Sequence, residues 1–215
     1  MSNGGELFEA GSRVPIRLST VLVVEGRDMF GFFLAMLREL KLDNQIEVRN
    51  GGGTPDLYDY LGDLKTISGF NAVTSLGIVC DCEADPIVAL KDLCNALRRA
   101  GLAVPAAVLT PTAPPPLPRI TIHLLPDAST PCMLETLLWR TLAGDPLNHC
   151  VEEYLDCVRK ATGKALAYED KSRIYTYIAG RDQPWLLLGQ AARARYFPGT
   201  SPVFDDLRAF LQGLP

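Results

Sequence analysis

The sequence predicts an α/β protein with a mostly parallel central sheet, wound by helices on both faces and followed by a helical C-terminal layer. Three observations carry this. A β-branched run that stops at a tight turn and passes into helical periodicity occurs three times before residue 101. Strands alternating with helices at this spacing imply right-handed parallel crossovers, with functional groups at the carboxyl ends of the strands. From Met133 onward the pattern is mainly helical. At 215 residues, 47% of them hydrophobic, the chain can bury one shared core.

Residues 17–24 (RLSTVLVV) form the first strand, which ends at Glu25-Gly26, and residues 29–42 repeat apolar side chains at helical spacing. Residues 46–49 are a second short strand closed by Asn50-Gly51-Gly52-Gly53, after which Thr54-Pro55-Asp56 reads as a helix N-cap with proline at the first position. Residues 71–80 (NAVTSLGIVC) are the most strand-like segment, and an amphipathic helix over 86–100 follows an acidic turn. Residues 111–118 (PTAPPPLP) contain five prolines and must be an extended connection. Residues 119–125 (RITIHLL) are a fourth strand, and helices are expected over 133–143, 147–162, 168–180, 185–195 and 203–213. The division expected is a core over 17–125 and a helical extension over 126–215 packed on it.

Lys and Arg total 21 against 25 Asp and Glu, a net charge of -4, so no overall positive field draws in nucleic acid. A local patch or a metal must supply it. Residues 1–110 carry 10 basic and 14 acidic side chains, and residues 111–215 carry 11 of each, so the acidic excess sits with the three strand-to-helix turns. No GxxxxGK[ST] loop occurs, which excludes a Walker-type ATPase site within the chain. No apolar run reaches the roughly 20 residues needed to cross a bilayer, and the first residues lack a basic-then-apolar leader. A soluble cytoplasmic protein without membrane association is expected, with its six cysteines as reduced thiols.

In a parallel sheet the strand ends share one edge, so Glu25 and the turn Asp81-Cys82-Glu83-Ala84-Asp85 can converge. Carboxylates gathered at one point repel, and a hard cation relieves them; Mg²⁺ or Mn²⁺ suits oxygen ligands of this kind. The competing reading is that Asp81, Glu83 and Asp85 only cap the helix that begins near residue 86. Gly51, Gly52 and Gly53 allow the backbone to approach a phosphate, and Thr54 opens a helix whose N-terminus attracts anions, although a positive-φ turn explains the glycines as well.

The block VLVVEGRDMF, the NGGG turn and the acidic turn IVCDCEAD together resemble a Toprim domain, the Rossmann-like catalytic fold of topoisomerases, bacterial primases and overcoming-lysogenization-defect nucleases. The whole chain further resembles the Toprim-like DUF3226 family, on PPPLP, ITIHLL, CMLETLL and EDKSRIYTYIA. The resemblance implies that Glu25 is the general acid/base or metal-binding glutamate, and that Asp81 and Glu83 are the metal pair. Glu83 stands where the family has aspartate; its extra methylene passes ligation to Asp85 or to water. Comparison with the nucleases implies that Glu135 completes a second metal site and that Lys171 lies by the scissile phosphate. As ordinary residues, Glu135 is a surface acid and Lys171 pairs with Glu152 or Glu169. The activity implied is an Mg²⁺- or Mn²⁺-dependent nuclease or phosphotransfer enzyme acting on DNA or RNA. The alternative is a non-catalytic module that binds metal and a nucleotide or nucleic acid, as partner of a separate ATPase. Topoisomerase chemistry is disfavoured because there is no room for a domain carrying a nucleophilic tyrosine, and primase chemistry because no zinc ribbon is present.

Other residues are weaker. Cys80 and Cys82 lack two further ligands for zinc. His123 alternates onto one sheet face and reads as a core histidine. Arg181, Arg193 and Arg195 with Tyr175, Tyr177, Tyr196 and Trp185 form a basic-aromatic region that either tracks a nucleic-acid backbone or packs helices.

Overall fold

A computed structural model describes residues 9–82, 85–126 and 133–215. Four strands, β1 (Thr20–Val24), β2 (Ile46–Asn50), β3 (Ser75–Asp81) and β4 (Arg119–Leu125), form one parallel sheet in the order β2-β1-β3-β4. The described helices are α1 (Gly26–Glu39), α2 (Thr54–Asp63), α3 (Pro86–Arg99), α4 (Leu134–Thr141), α5 (Pro146–Thr162), α6 (Glu169–Ala179), α7 (Leu188–Arg193) and α8 (Asp205–Gln212). The expected parallel α/β architecture with a helical C-terminal portion is what the chain forms.

Every residue of β1 is buried. Period-two alternation sends Leu22 and Val24, with Val48 and Val79, into a core shared with α1 and the C-terminal helices. Val21 and Val23, with Leu76, Ile78, Ile120 and Ile122, enter a second core against α2 and α3. Covering both faces is what lets these strands be continuous apolar runs. The chain winds from β1 outward to β2, then returns past β1 to β3 and on to β4. The direction of winding therefore reverses between β1 and β3, and the carboxyl ends of those two strands flank the crevice where such sheets take ligands.

The register fixes what lies there. Val24 pairs with Val79, and the ladder runs one residue further, Glu25 N–H donating to the Val79 carbonyl at 3.2 Å. Gly51 N–H likewise donates to the Val24 carbonyl at 2.9 Å. Glu25, the glycine turn and the last residue of β3 therefore share one rim.

The elements depart from expectation at their ends. The first strand begins at Thr20 because the Arg17 and Leu18 amides instead donate to Glu47 Oε2, at 2.8 and 3.3 Å. The other Glu47 oxygen takes Arg49, whose fully buried guanidinium also donates to the Val14 carbonyl at 2.6 Å. This clamp holds the N-terminal segment along the outer edge of β2, leaving less of that edge open. The third strand starts at Ser75, since residues 70–72 form a short 3-10 turn after Gly69 at φ 90°. It extends through Asp81, which is therefore a strand residue. The helix expected over 29–42 starts three residues earlier, at Gly26, and ends at Glu39. Thr54 is the first residue of α2 and not its cap; Gly53 occupies the cap position in extended backbone, which frees the Thr54 hydroxyl for another partner.

α1 and α7 cross backbone to backbone. A Cβ placed on Gly189 would lie 2.4 Å from Gly31 Cα, and one on Gly31 would lie 2.9 Å from Gly189 Cα. Gly189→Ala is accordingly expected to destabilise by about 1–3 kcal/mol through overpacking. Gly62→Ala, in α2 with nothing within 4 Å of the added carbon, should stabilise by about 0.4–1 kcal/mol. Urea midpoints of the two variants check this: equal effects of the same sign would mean that the helix crossing is not close.

Candidate active site at the β1–β3 rim

Glu25 is the first residue beyond β1 and the N-cap of α1, a position that aims its carboxylate outward from the sheet rim. Its Oε1 accepts the Thr54 hydroxyl at 2.5 Å and its Oε2 accepts the Asp81 amide at 3.2 Å. One side chain thus ties together the ends of β1 and β3 and the start of α2. The hydroxyl that could have capped α2 serves here.

Asp81 closes β3. Cys80 faces the core shared with α2 and α3, so Asp81, one residue on, points to the opposite side, toward α4. Its Oδ1 accepts the amide of Leu134, the first residue of α4, at 2.8 Å. It therefore satisfies a free N–H at a helix start, but across the rim and not on α3. Capping of α3 falls to Asp85, whose Oδ1 accepts the Ile87 and Val88 amides at 2.8 and 3.3 Å. Glu83 lies outside the described residues.

Glu135 is not a surface acid: it is 1% exposed, and its Oε1 accepts Lys171 Nζ at 2.6 Å. Lys171, on α6, thus pairs with Glu135. Glu152 and Glu169, the other acids within its reach in the sequence, are held by Arg173. The rim therefore gathers Glu25 and Asp81 from strand ends, Glu135 from α4 and Lys171 from α6.

The electrostatics reflect this crowding. Burial, then the charges of Glu25 and Glu135, push the Asp81 carboxyl well above the usual range, against the smaller opposing pull of the Leu134 amide and Lys171. Burial works against the charged form of Lys171, but its bond to Glu135 and the charges of Glu135, Asp81 and Asp28 outweigh it and raise its pKa. The starts of α1, α2 and α4 lie at the rim and contribute positive dipole ends.

A cleft of about 230 Å³ opens beside these groups, lined by Glu25, Thr54, Asp81, Asp85 and Asp92 with Tyr58. The donors are hard oxygens. Cys80 and Cys82 are buried free thiols, and burial, then the Glu25 and Asp81 charges, push the Cys80 thiol well up, which opposes a thiolate ligand. Among the described residues no three His, Cys, Asp or Glu side chains stand together as a ready metal site. Glu25 and Asp81, from adjacent strands, are the described pair that could share an ion. In the glycine turn Gly51 and Gly52 are buried, Gly52 at φ 87° with its amide donating to Asn50 Oδ1, and only Gly53 is exposed.

Sequence reasoning missed Asp28, and it assigned Tyr175 to the basic-aromatic region without placing it at the rim. Asp28 accepts the Tyr175 hydroxyl at 2.8 Å, and its charge reaches Lys171. Helical spacing could have found both, since Asp28 stands three residues after Glu25 and Tyr175 four after Lys171. His123 is the core histidine expected: burial lowers its pKa, Nδ1 lies 3.0 Å from the Leu124 carbonyl, and Phe210 stands edge-on at 5.2 Å. Arg181 stacks on Tyr177 and Tyr196 at 5.5 and 5.0 Å, so that part of the basic-aromatic region packs helices. Among the described residues no helix is long and apolar enough to cross a membrane.

No curated protein matches the sequence. Among solved structures, the C-terminal region of the Xanthomonas campestris pv. campestris OLD protein aligns with a TM-score of 0.43 at 15% identity, over 91% of this chain and 95% of that one. The family model described as "Protein of unknown function (DUF3226)" matches residues 19–214, and the chain belongs to that family.

Proposed function

We propose that the chain is a Toprim-type, divalent-metal-dependent nuclease that hydrolyses phosphodiesters of DNA or RNA. One observation carries the reading: Glu25, Asp81, Glu135 and Lys171, from four separate elements, meet at the crevice where the sheet reverses its winding. Glu135 is buried and Glu25, Asp81 and Lys171 are half-buried beside it, an arrangement of like charges that is costly as architecture alone. Its donor set fits Mg²⁺ or Mn²⁺, because all the acids offer hard oxygens, and burial, then the charges of Glu25 and Glu135, raise the Asp81 carboxyl, charges that a cation would offset.

Glu25 and Asp81 would hold the ion, with Glu83 or Asp85 beside them and Glu135 serving a second position. When bound, it supplies charge neutralisation at the phosphate and acidifies a coordinated water. Thr54 and the Asp81 amide orient the Glu25 carboxylate; as general base it would receive a proton from the attacking water. Lys171, kept charged by Glu135, stands ready to stabilise charge developing on the phosphate. The exposed Gly53 amide and the start of α2 can take a further phosphate oxygen.

A second reading, a non-catalytic module that binds metal and a nucleotide or nucleic acid beside a separate ATPase, is favoured by one feature. Both Glu25 oxygens and the Lys171 ammonium already have partners within the chain.

Incubation with single- and double-stranded DNA and RNA in Mg²⁺ or Mn²⁺ separates the two. Wild type should cut at least one substrate, and Glu25→Ala and Asp81→Ala should each lower the rate by about 10²-fold or more. Cleavage that survives both substitutions rejects the site, and metal-dependent binding without any cleavage selects the module.

The raised Asp81 carboxyl also predicts a pH dependence. The folded, metal-free protein holds a proton there at pH values where the unfolded chain has lost it, so this contribution is complete below about pH 4 and fades as pH rises through the folded value. In EDTA, Asp81→Asn, which keeps a carbonyl oxygen for the Leu134 amide, should melt a few degrees above wild type at pH 8 and level with it near pH 4. Thermal melts across that range test this; a gap independent of pH would show that Asp81 ionises freely.

A further inference from the structure

A second concavity, of about 520 Å³, lies between α1 and α7, and Tyr175 and Asp28 join it to the carboxylate rim. Its floor is the contact of Gly31 with Gly189, widened by Phe30, Leu34 and Leu187. Because neither glycine carries a Cβ, the helices meet low, and the longer side chains around them become walls. Arg27 and Arg38 stand on the same stripe of α1 as Gly31 and Leu34, and Arg193 faces them from α7. Three cations against the single Asp28 make this groove locally positive on a chain of net charge -4.

Arg38 and Arg193 are exposed and, like Arg17, Arg98, Arg99, Arg119 and Arg195, form no ion pair among the described residues; of these only Arg38 and Arg193 line the groove. Tyr175 presents a ring whose hydroxyl is anchored to Asp28, so its apolar face is fixed at the wall next to Lys171 and Glu135. Burial, then that bond and the Asp28 charge, raise the phenol's pKa, which keeps it a donor at neutral pH. An apolar floor, an oriented aromatic ring and unmatched guanidinium groups are the components that bind a base and its phosphates. The volume lies within the range of small-ligand sites.

We propose that the groove between α1 and α7 is a nucleotide-binding site that seats one unpaired nucleotide of a polynucleotide, its base against Tyr175 and the apolar floor and its phosphates on Arg38, Arg193 and Arg27. The inference rests on the phosphodiester reading and defines the form of its substrate: a strand whose nucleotide next to the rim is unstacked, as in single-stranded segments and ends. A paired base cannot leave its duplex for the groove without the cost of unpairing.

The test is fluorescence anisotropy with a labelled 12-mer of single-stranded DNA or RNA and the matching duplex, in EDTA so that metal-dependent cleavage is silent. Wild type should bind single strands at least tenfold more tightly than duplex. Arg38→Gln with Arg193→Gln should weaken binding by about tenfold or more and reduce the salt slope by about 1.4, two phosphate contacts on a single strand. Tyr175→Ala should weaken it by about 5- to 100-fold, as loss of base stacking does, and Tyr175→Phe should retain most of it. Both arginines are exposed, and thermal melts confirm that the variants fold. No binding, equal affinity for duplex, or a double variant that binds like wild type overturns the site. Cleavage by wild type alongside unaltered binding by the double variant leaves the nuclease reading standing without the groove; arginine-dependent binding with no cleavage leaves the groove without the nuclease.

Discussion

The parallel register of β1 against β3 is the constraint on which the rest of the molecule depends. Val24 opposite Val79 places Glu25 and Asp81 at consecutive steps along one rim, with a backbone amide of one held by the carboxylate of the other. Shifted by one residue, the same strands would turn Asp81 toward α3 and Cys80 toward α4, and no acidic cluster would form. Such a shift would carry every side chain of the slipped strand from one core to the other, so both cores would have to repack. The packing that stabilises the sheet therefore also enforces the crowding of charge at its edge.

That crowding is relieved in part by backbone dipoles and one lysine. The Leu134 amide and Lys171 both favour the ionised form of Asp81, yet burial and the neighbouring acids outweigh them. Lys171 in turn is spent mainly on Glu135, a buried side chain whose Oε1 accepts its ammonium at 2.6 Å. α4 is the hinge of this arrangement: its first amide serves Asp81 and its second residue is Glu135, so one helix start couples both acids. The helices beyond β4 are thus part of the site and not merely a cover for the sheet.

The parallel sheet, the three strand-turn-helix units and the helical C-terminal portion were legible in the sequence because apolar periodicity and glycine turns report local structure directly, whereas the order of the strands was not. The rim was legible as well, since Glu25 and Asp81 each follow a strand-like run. What could not be read was partnership across the fold. Nothing local distinguishes Glu135 from a surface acid, and its burial follows only from the docking of α4 against α6. Thr54 reads as a cap because Thr-Pro-Asp is a capping pattern, and it loses that role because the helix starts one residue earlier, with Gly53 at the cap and Thr54 already inside the first turn. Asp85 kept the local role that Asp81 escaped: both are acids of one turn, but Asp81 is still within the strand and faces across the sheet.

Charge is segregated along the ligand face in a way that neither half of the site explains by itself. Acids collect at the rim, where they repel a polyanion, and the exposed Arg38 and Arg193 stand one helix face away, where they attract it. An extended strand crossing both would gain attraction from the arginines while one of its phosphates is drawn to acids that only a cation can make hospitable. Affinity would then come from the groove and discrimination from the rim, so the strand could dock without metal but could not react without it. Asp28 and Tyr175 sit at the boundary, one facing Lys171 and the other the groove, and their hydrogen bond sets the spacing between the two regions.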